Sequence, residues 1–313
     1  MNIHIDDLIY KLQAQGGISR MWRELTPCLH IAMPDATFDL SAPPDVYMPT
    51  YYSDAPEGVP SVILYYDAIH ERYPGLGKYH PDAMQKARAV KNAAAVVAIS
   101  QFSANDCLRY HGVQASVAYC GGSELTVRGL PDQVRDFRVK YGLERSYVLL
   151  IGRRDLYKNA RALYEAWPLC QWAQQGTVVA IGGEDPLPSD IEFARRYPWK
   201  QIRLSDDELA LAYSGAYALV YPSYYEGFGL PIVEALASGC PVICGNQSSE
   251  PEVAGDAALY VDVCKPRDIA TALDMLLDTN CRLELAMKGY ERARMFTWSK
   301  MAESVAEVIR GVV

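Results

Sequence analysis

Between Tyr217 and Cys244 the chain reads as one strand–loop–helix–strand unit. Tyr217-Ala-Leu-Val-Tyr221 is a short apolar run with β-branched and aromatic character, the pattern of a buried strand. Pro231 suits the first position of a helix, where its missing N–H is not needed. Gly239 stops that helix, and Pro241-Val-Ile-Cys244 reads as the next strand. The connecting loop, Tyr224-Tyr-Glu226-Gly227-Phe228-Gly229-Leu230, has glycine amides that can approach a ligand closely at the carboxyl end of a strand. Glu226 falls on the loop and Glu234 one turn into the helix. An ionised carboxylate accepts two neighbouring O–H bonds, so this spacing suits a hydroxyl-rich ligand.

The same alternation runs through everything after Tyr147. Strands are predicted over Tyr147–Ile151, Thr177–Ile181, Gln201–Leu204 and Ala257–Val261. Helices are predicted from Asn159 through Trp172, from Asp206 through Tyr213 and over Pro266–Leu277, and two more, Arg282–Met295 and Ser299–Arg310, close the chain. Such a pattern implies a parallel sheet with helices on both faces. The first half repeats it more thinly. Strands are expected at Asn2–Ile5, Ser61–Tyr65, Val96–Ile99 and Ser116–Tyr119, with helices at Ile18–Ile31, Asp82–Asn92 and Gln101–Tyr110. Pro34–Pro60 reads as loop with at most one irregular strand, and Gly121–Asp136 as the linker. At 313 residues the chain exceeds the roughly 250–300 at which one core splits, so two α/β domains are expected.

Composition narrows the function classes. A formal net charge of −8 argues against a general nucleic-acid binder. The basic cluster Arg195, Arg196, Lys200 and Arg203 reads as a solvated surface. No apolar run reaches the ~18–20 residues that span a bilayer, and Asp6 and Asp7 interrupt any leader-like start. Eight cysteines without a Cys-x-x-Cys pair suit a reducing cytoplasm. Five histidines show no ligand spacing, which argues against a zinc site; His30, His80 and His111 read as structural.

A second loop carries positive charge. After the strand ending at Ile151 come Gly152, Arg153, Arg154, Lys158 and Asn159, the last placed to cap a helix. A helix amino terminus favours anions, and two cations beside it add charge-assisted bonds to a pyrophosphate.

Together these segments resemble the retaining glycosyltransferases of family 4, with Glu226 and Glu234 as a Glu-x7-Glu pair and Gly152–Asn159 as the phosphate loop. Ser248-Ser-Glu-Pro251-Glu252 is similar to the family's Pro-Glu loop, Phe296-Thr-Trp298 to the start of its terminal helix, and Gly16-Gly17-Ile18-Ser-Arg20 to its first glycine loop. The resemblance implies a GT-B fold: two Rossmann-like domains facing each other across a cleft. Residues 1–125 would form an abbreviated acceptor-side domain, 126–295 the donor-binding domain, and 296–313 a helix crossing back. It also implies roles. Arg153 and Lys158 would clamp the donor diphosphate, Glu226 would lie by the donor sugar and Glu234 would bind the ribose. Gly17, Gly152, Gly227, Phe228, Gly229 and Leu230 would line the donor. Asp67 aligns with the Asp of the family's His-Asp motif, but Tyr66 stands where the family has His. Tyr66 or the nearby His70 would then contact the acceptor or sugar.

The activity so implied is transfer of a sugar, with retention, from a nucleotide-diphosphate donor to a glycan or lipid-linked acceptor hydroxyl. UDP is the first expectation for the nucleotide and GDP, as GDP-mannose, the second. No Asp-x-Asp motif sits at a plausible donor site, so no cofactor or metal is expected, and peripheral membrane contact stays open. A non-catalytic nucleotide-sugar-binding protein remains an alternative, as does a nucleotide-sugar epimerase on the same fold. A glycan phosphorylase would need a cofactor-lysine region not seen in this sequence.

Overall fold

The computed structural model describes residues 1–14, 16–73, 81–122, 128–183 and 185–313. His80 and the domain boundary expected at 125/126 lie outside them. The chain divides into two compact units, one formed by Met1–Gly121 with Phe296–Val313 and the other by Gly122–Met295.

In the first unit the order is β1 (Ile3–Ile5), α1 (Leu8–Leu12), α2 (Gly17–Ala32), β2 (Val46–Met48), β3 (Val62–Tyr65), α3 (Ile69–Arg72), α4 (Pro81–Asn92), β4 (Ala95–Ala98), α5 (Gln101–His111) and β5 (Ser116–Val117). β1 pairs with β2, and β3, β4 and β5 pair in that order, all parallel. A bridge between Tyr47 and Ser61 ties the two groups together. β3 is buried along its length, as its unbroken Val-Ile-Leu-Tyr run demands of a parallel strand. β2 is the irregular strand expected between Pro34 and Pro60. β5 is shorter than its sequence suggests and ends at Val117.

The second unit runs α6 (Pro131–Lys140), β6 (Ser146–Ile151), α7 (Ala160–Ala166), β7 (Gly176–Ile181), α8 (Pro188–Ala194), β8 (Trp199–Ile202), α9 (Asp206–Gly215), β9 (Ala218–Tyr221), α10 (Leu230–Ala237), β10 (Val242–Cys244), α11 (Glu250–Ala254), β11 (Ala258–Tyr260), α12 (Pro266–Met275) and α13 (Thr279–Ala293). Its six strands form one parallel sheet in the order β11-β10-β9-β6-β7-β8. The chain therefore builds outward from β6 through β7 to β8, then returns to β6's other side with β9. Strand order reverses between β6 and β9, and an open α/β sheet offers a crevice at the carboxyl ends of such a pair. α14 (Trp298–Arg310) belongs to the first unit, where it packs on α2. The Arg310 guanidinium donates to the Ala32 carbonyl, closing α2 with a cation at its negative end.

Two local expectations are corrected. Gly121–Asp136 is not linker throughout, because α6 starts at Pro131 and packs on α9. Asn159 does not cap α7 with its side chain, and α7 ends at Ala166, where the Trp167-Pro168 step tightens into a 3₁₀ turn. The Trp172 ring beyond it stacks on Tyr217 at 4.2 Å in the core.

The first unit buries a charged group. Lys86, 1% exposed, donates to Glu71 at 2.8 Å and to the Asp67 carbonyl at 2.6 Å, and lies 5.0 Å above the Tyr65 ring. His111 Nε2 stands 3.3 Å from the other Glu71 oxygen. Burial pushes the Glu71 carboxyl up, but His111 and Lys86 outweigh it and hold it down at about 2. Lys86→Met strands the Glu71 charge and is expected to cost about 3–5 kcal/mol in urea unfolding. Glu71 is depressed on folding, so its contribution is whole above the ordinary 4.5 and lost as pH falls toward 2. The stability gap between wild type and Glu71→Gln should therefore shrink from pH 5 to pH 2. A gap that is constant or widens on acidification contradicts this charge assignment.

Candidate active site

The loop leaving β6 holds several side chains against their intrinsic preferences. Gly152 takes φ +86°, a conformation open to glycine. Leu156 and Asn159 both take φ +53°, and among the described residues they are the only non-glycines with positive φ. They bracket the 3₁₀ turn Leu156–Lys158, so Lys158 sits on strained backbone. The surroundings fix that strain. Asn159 Nδ2 donates to the Pro222 and Val263 carbonyls at 3.1 and 3.2 Å, and the Tyr224 N–H donates to the Tyr157 carbonyl at 2.7 Å. The two neighbouring arginines diverge. Arg154 is buried, donating to Asp190 at 2.7 Å and to the Gly182 carbonyl at 3.0 Å. Arg153 is half exposed and forks onto Asp155, both bonds 3.1 Å.

The loop after β9 meets this one. Lys158 Nζ donates to both Glu226 oxygens, at 2.7 and 2.9 Å, and to the Tyr221 hydroxyl at 3.0 Å. Burial, reinforced by the Glu226 charge, keeps the Tyr221 phenol protonated well above its ordinary range. Ser248 and Ser249 hold the Glu226 loop from the far side. The Glu226 N–H donates to Ser248 Oγ at 2.8 Å, and the Ser249 hydroxyl donates to the Glu226 and Phe228 carbonyls at 3.0 and 2.9 Å. Phe228 is buried, and Gly229 takes φ +99° where the chain enters α10. Leu230 opens that helix, so Pro231 occupies its second position instead of the first. No side chain caps α10, which leaves its positive end to whatever anion approaches. Glu234 is buried and accepts the Tyr213 hydroxyl at 2.9 Å.

Gly152, Arg153, Lys158, Glu226, Gly227, Phe228, Gly229, Leu230 and Glu234 thus all belong to the second unit, on the loops following β6 and β9 and the start of α10. Gly17, Tyr66, Asp67 and His70 belong to the first. Gly17 opens α2, and a Cβ there would meet nothing within 4 Å, so open space surrounds its backbone. Asp67 follows β3; its Oδ1 accepts the Ile69 N–H at 3.0 Å. His70 lies on α3 and is partly buried. Tyr66 lies deeper than the other three. It is 3% exposed, its hydroxyl accepts Trp22 Nε1–H at 2.8 Å and donates to the Thr50 carbonyl at 2.7 Å. Its polar tip is spent within the core, where it anchors the end of β3 to α2.

Comparison with known proteins shows the family and the fold. The family model for glycosyl transferases group 1 matches residues 134–295, more than half of the chain. The chain belongs to that family. The O-antigen chain mannosyltransferase B of Escherichia coli is 32% identical over 244 residues, covering 71% of this chain; the chain spans 63% of that relative's length. The sucrose-phosphate synthase of Thermosynechococcus elongatus superposes over 99% of this chain and 98% of its own, with TM-score 0.79 at 19% identity. Anabaena Alr3699/HepE, solved with UDP and glucose, covers 99% of both chains with TM-score 0.76 at 14% identity. These structural likenesses show a GT-B fold of two Rossmann-like domains for this chain. Among the described residues no helix is long and apolar enough to cross a membrane.

Tyr213 and Tyr221 escaped the sequence reading as members of the site, and Arg154 as its scaffold. Tyr221 reads there as the last residue of a buried strand, and nothing local to Tyr213 reveals that α9 aims it at Glu234. Arg154 and Arg153 are indistinguishable by type, yet one is scaffold and the other surface. Arg154→Met leaves Asp190 buried without its cation and is expected to cost about 3–5 kcal/mol in chemical denaturation. Arg153→Ala should stay within about 0.5 kcal/mol of wild type. Equal losses would show that the two arginines are not divided in this way.

Proposed function

We propose that this protein transfers a hexosyl group, mannosyl in the first instance, from a nucleotide-diphosphate donor to a hydroxyl of a growing glycan or lipid-linked acceptor. The observation that carries the proposal is Lys158 joined to Glu226 at the strand-order reversal, with Glu234 buried one turn into α10. The sugar follows the relative's name, an O-antigen chain mannosyltransferase, which favours GDP-mannose over a UDP-sugar. The UDP held by the structurally similar Anabaena protein supports a nucleoside diphosphate in general terms. A cytoplasmic setting, where nucleotide sugars are made, fits this reading.

The donor's diphosphate would lie over the loop after β6 and the uncapped end of α10. Lys158 and the helix end then oppose the charge that builds on the leaving group, an electrostatic role. Arg153 can join once a diphosphate competes with Asp155. Glu234, fixed by Tyr213, would accept the ribose hydroxyls, and Glu226 would face the sugar. In the retaining course the acceptor oxygen bonds to the anomeric carbon as the bond from that carbon to the phosphate oxygen breaks. The attack is on the leaving-group side, and the hydroxyl proton passes to the departing diphosphate. No base on the opposite face is then required. Asp67 and His70 are proposed for the acceptor side.

Two measurements test the roles. Lys158→Ala and Glu234→Ala should each weaken GDP or UDP binding by about one to two decades, since a charge-assisted bond contributes roughly 1.5–3 kcal/mol. Free nucleoside separates them: Lys158→Ala should bind it like wild type, whereas Glu234→Ala should lose it. Matched effects of both changes on the nucleoside would refute the division between phosphate and ribose. The second measurement is NMR of the product linkage, which should show an α-glycoside from an α-donor, with turnover persisting in EDTA. A β-product, or turnover abolished by EDTA and restored by magnesium or manganese, would overturn the mechanism.

A further inference from the structure

Behind the Glu226 loop lies another carboxylate that this chemistry does not use. Glu250, at the start of α11, is 1% exposed. Its Oε2 accepts the Ser248 N–H at 3.1 Å and also the Ser248 hydroxyl. Ser248 Oγ in turn accepts the Glu226 N–H at 2.8 Å, so a chain of bonds runs from Glu250 to the backbone of Glu226. Ser249 completes the hold by donating to the Glu226 and Phe228 carbonyls. Glu250 Oε1 is buried with no hydrogen-bond partner among the described residues. A Cβ at Gly245 would stand 3.5 Å from it.

We propose that Glu250 is the positioning residue of the Glu226–Phe228 loop, acting through Ser248, and that the charge on its carboxyl group sets how well this loop accepts a diphosphate. The proposal rests on the donor-site reading above. A buried carboxylate oxygen without a partner is costly when ionised, and far less so as a neutral acid. A proton on Oε1 leaves Oε2 to accept both Ser248 bonds, so the clasp persists in either state. What changes is the charge behind the loop. Burial, with the Glu226 charge adding to it, pushes the Glu250 carboxyl up to about 7 against the opposing Ser248 bonds.

The other groups that feel Glu250 are Tyr221 on β9, Cys244 on β10 and Tyr260 on β11. Burial raises all three, so each stays neutral through this range. The Lys158 cation is already engaged by Glu226. Ionising Glu250 therefore adds a like charge behind a loop to which a diphosphate brings more. Affinity should be full below pH 7 and fall as pH rises through it, and binding near pH 7 should take up a proton.

Calorimetry of the full chain with GDP and with UDP, from about pH 6 to about pH 8.5, tests this against Glu250→Gln, a neutral isostere. The nucleotide's own titration is common to both proteins and cancels in their ratio. Relative to Glu250→Gln, wild type should lose roughly threefold or more in affinity across that range. Its binding heat in buffers of different ionisation enthalpy should report proton uptake that the variant lacks. Ser248→Ala should weaken the nucleotide roughly three- to tenfold at about pH 6.5 by loosening the loop. Parallel pH profiles, or a Ser248→Ala protein that binds like wild type, would overturn the inference while leaving the donor site standing. A wild type that binds neither nucleotide at any pH would remove the donor site and the inference with it.

Discussion

The reversal of strand order between β6 and β9 is the constraint from which the site follows. Two loops whose key residues are 68 positions apart leave neighbouring parallel strands at the same edge of the sheet, which is how Lys158 reaches both oxygens of Glu226. Neither loop could hold its residue alone. The Lys158 turn is strained at Leu156 and Asn159, and Asn159 is anchored by carbonyls following β9 and β11. Conversely, the Glu226 loop depends on hydroxyls that arrive after β10. The sheet supplies the address, and cross-loop hydrogen bonds supply the precision.

The division between scaffold and site is drawn by burial and partner. Arg154 is committed to Asp190, which also accepts the Tyr164 hydroxyl at 2.6 Å, so the guanidinium cements the floor under β6 and β7. Lys158 instead pairs with Glu226, a carboxylate on the glycine-containing loop after β9. In the first unit the Lys86–Glu71–His111 group has the same character, with Lys86 as buried as Arg154 and Glu71 partly so. It fixes the Asp67 carbonyl, and through it the turn that carries Asp67 and His70. A buried charge cluster beside a candidate site is here a brace for that site.

Much of this was legible in sequence because parallel α/β units announce themselves twice, by period and by punctuation. Unbroken apolar runs such as Val62–Tyr65 and Ala218–Tyr221 mark strands buried on both faces, and Gly152, Gly229 and Gly239 mark turns that need positive φ. What was illegible depends on the third dimension. Strand order is not encoded in local pattern, so the meeting of Lys158 with Glu226 could be expected only through resemblance. Side-chain direction is equally silent: Tyr66 occupies a position where the family carries a ligand-contacting residue, yet it turns inward to Trp22 and Thr50. Asn159 looked like a helix cap by residue type. A left-handed backbone at that position turned its amide to the carbonyls of Pro222 and Val263 instead.

On the proposed reading, the Lys158–Glu226 pair also explains how a cation can wait in a largely buried site. An ammonium drawn out of water without a counter-charge pays a desolvation cost of several kcal/mol, which would shift or displace it. Glu226 removes that cost while no donor is bound, and the Tyr221 hydroxyl completes the coordination. A diphosphate then does not have to recruit a cation; it exchanges with a carboxylate for one already in place, anion for anion. The net charge of the pocket changes by that of the ligand alone. This makes any further negative charge behind the loop consequential, because the pair has no surplus positive charge to absorb it.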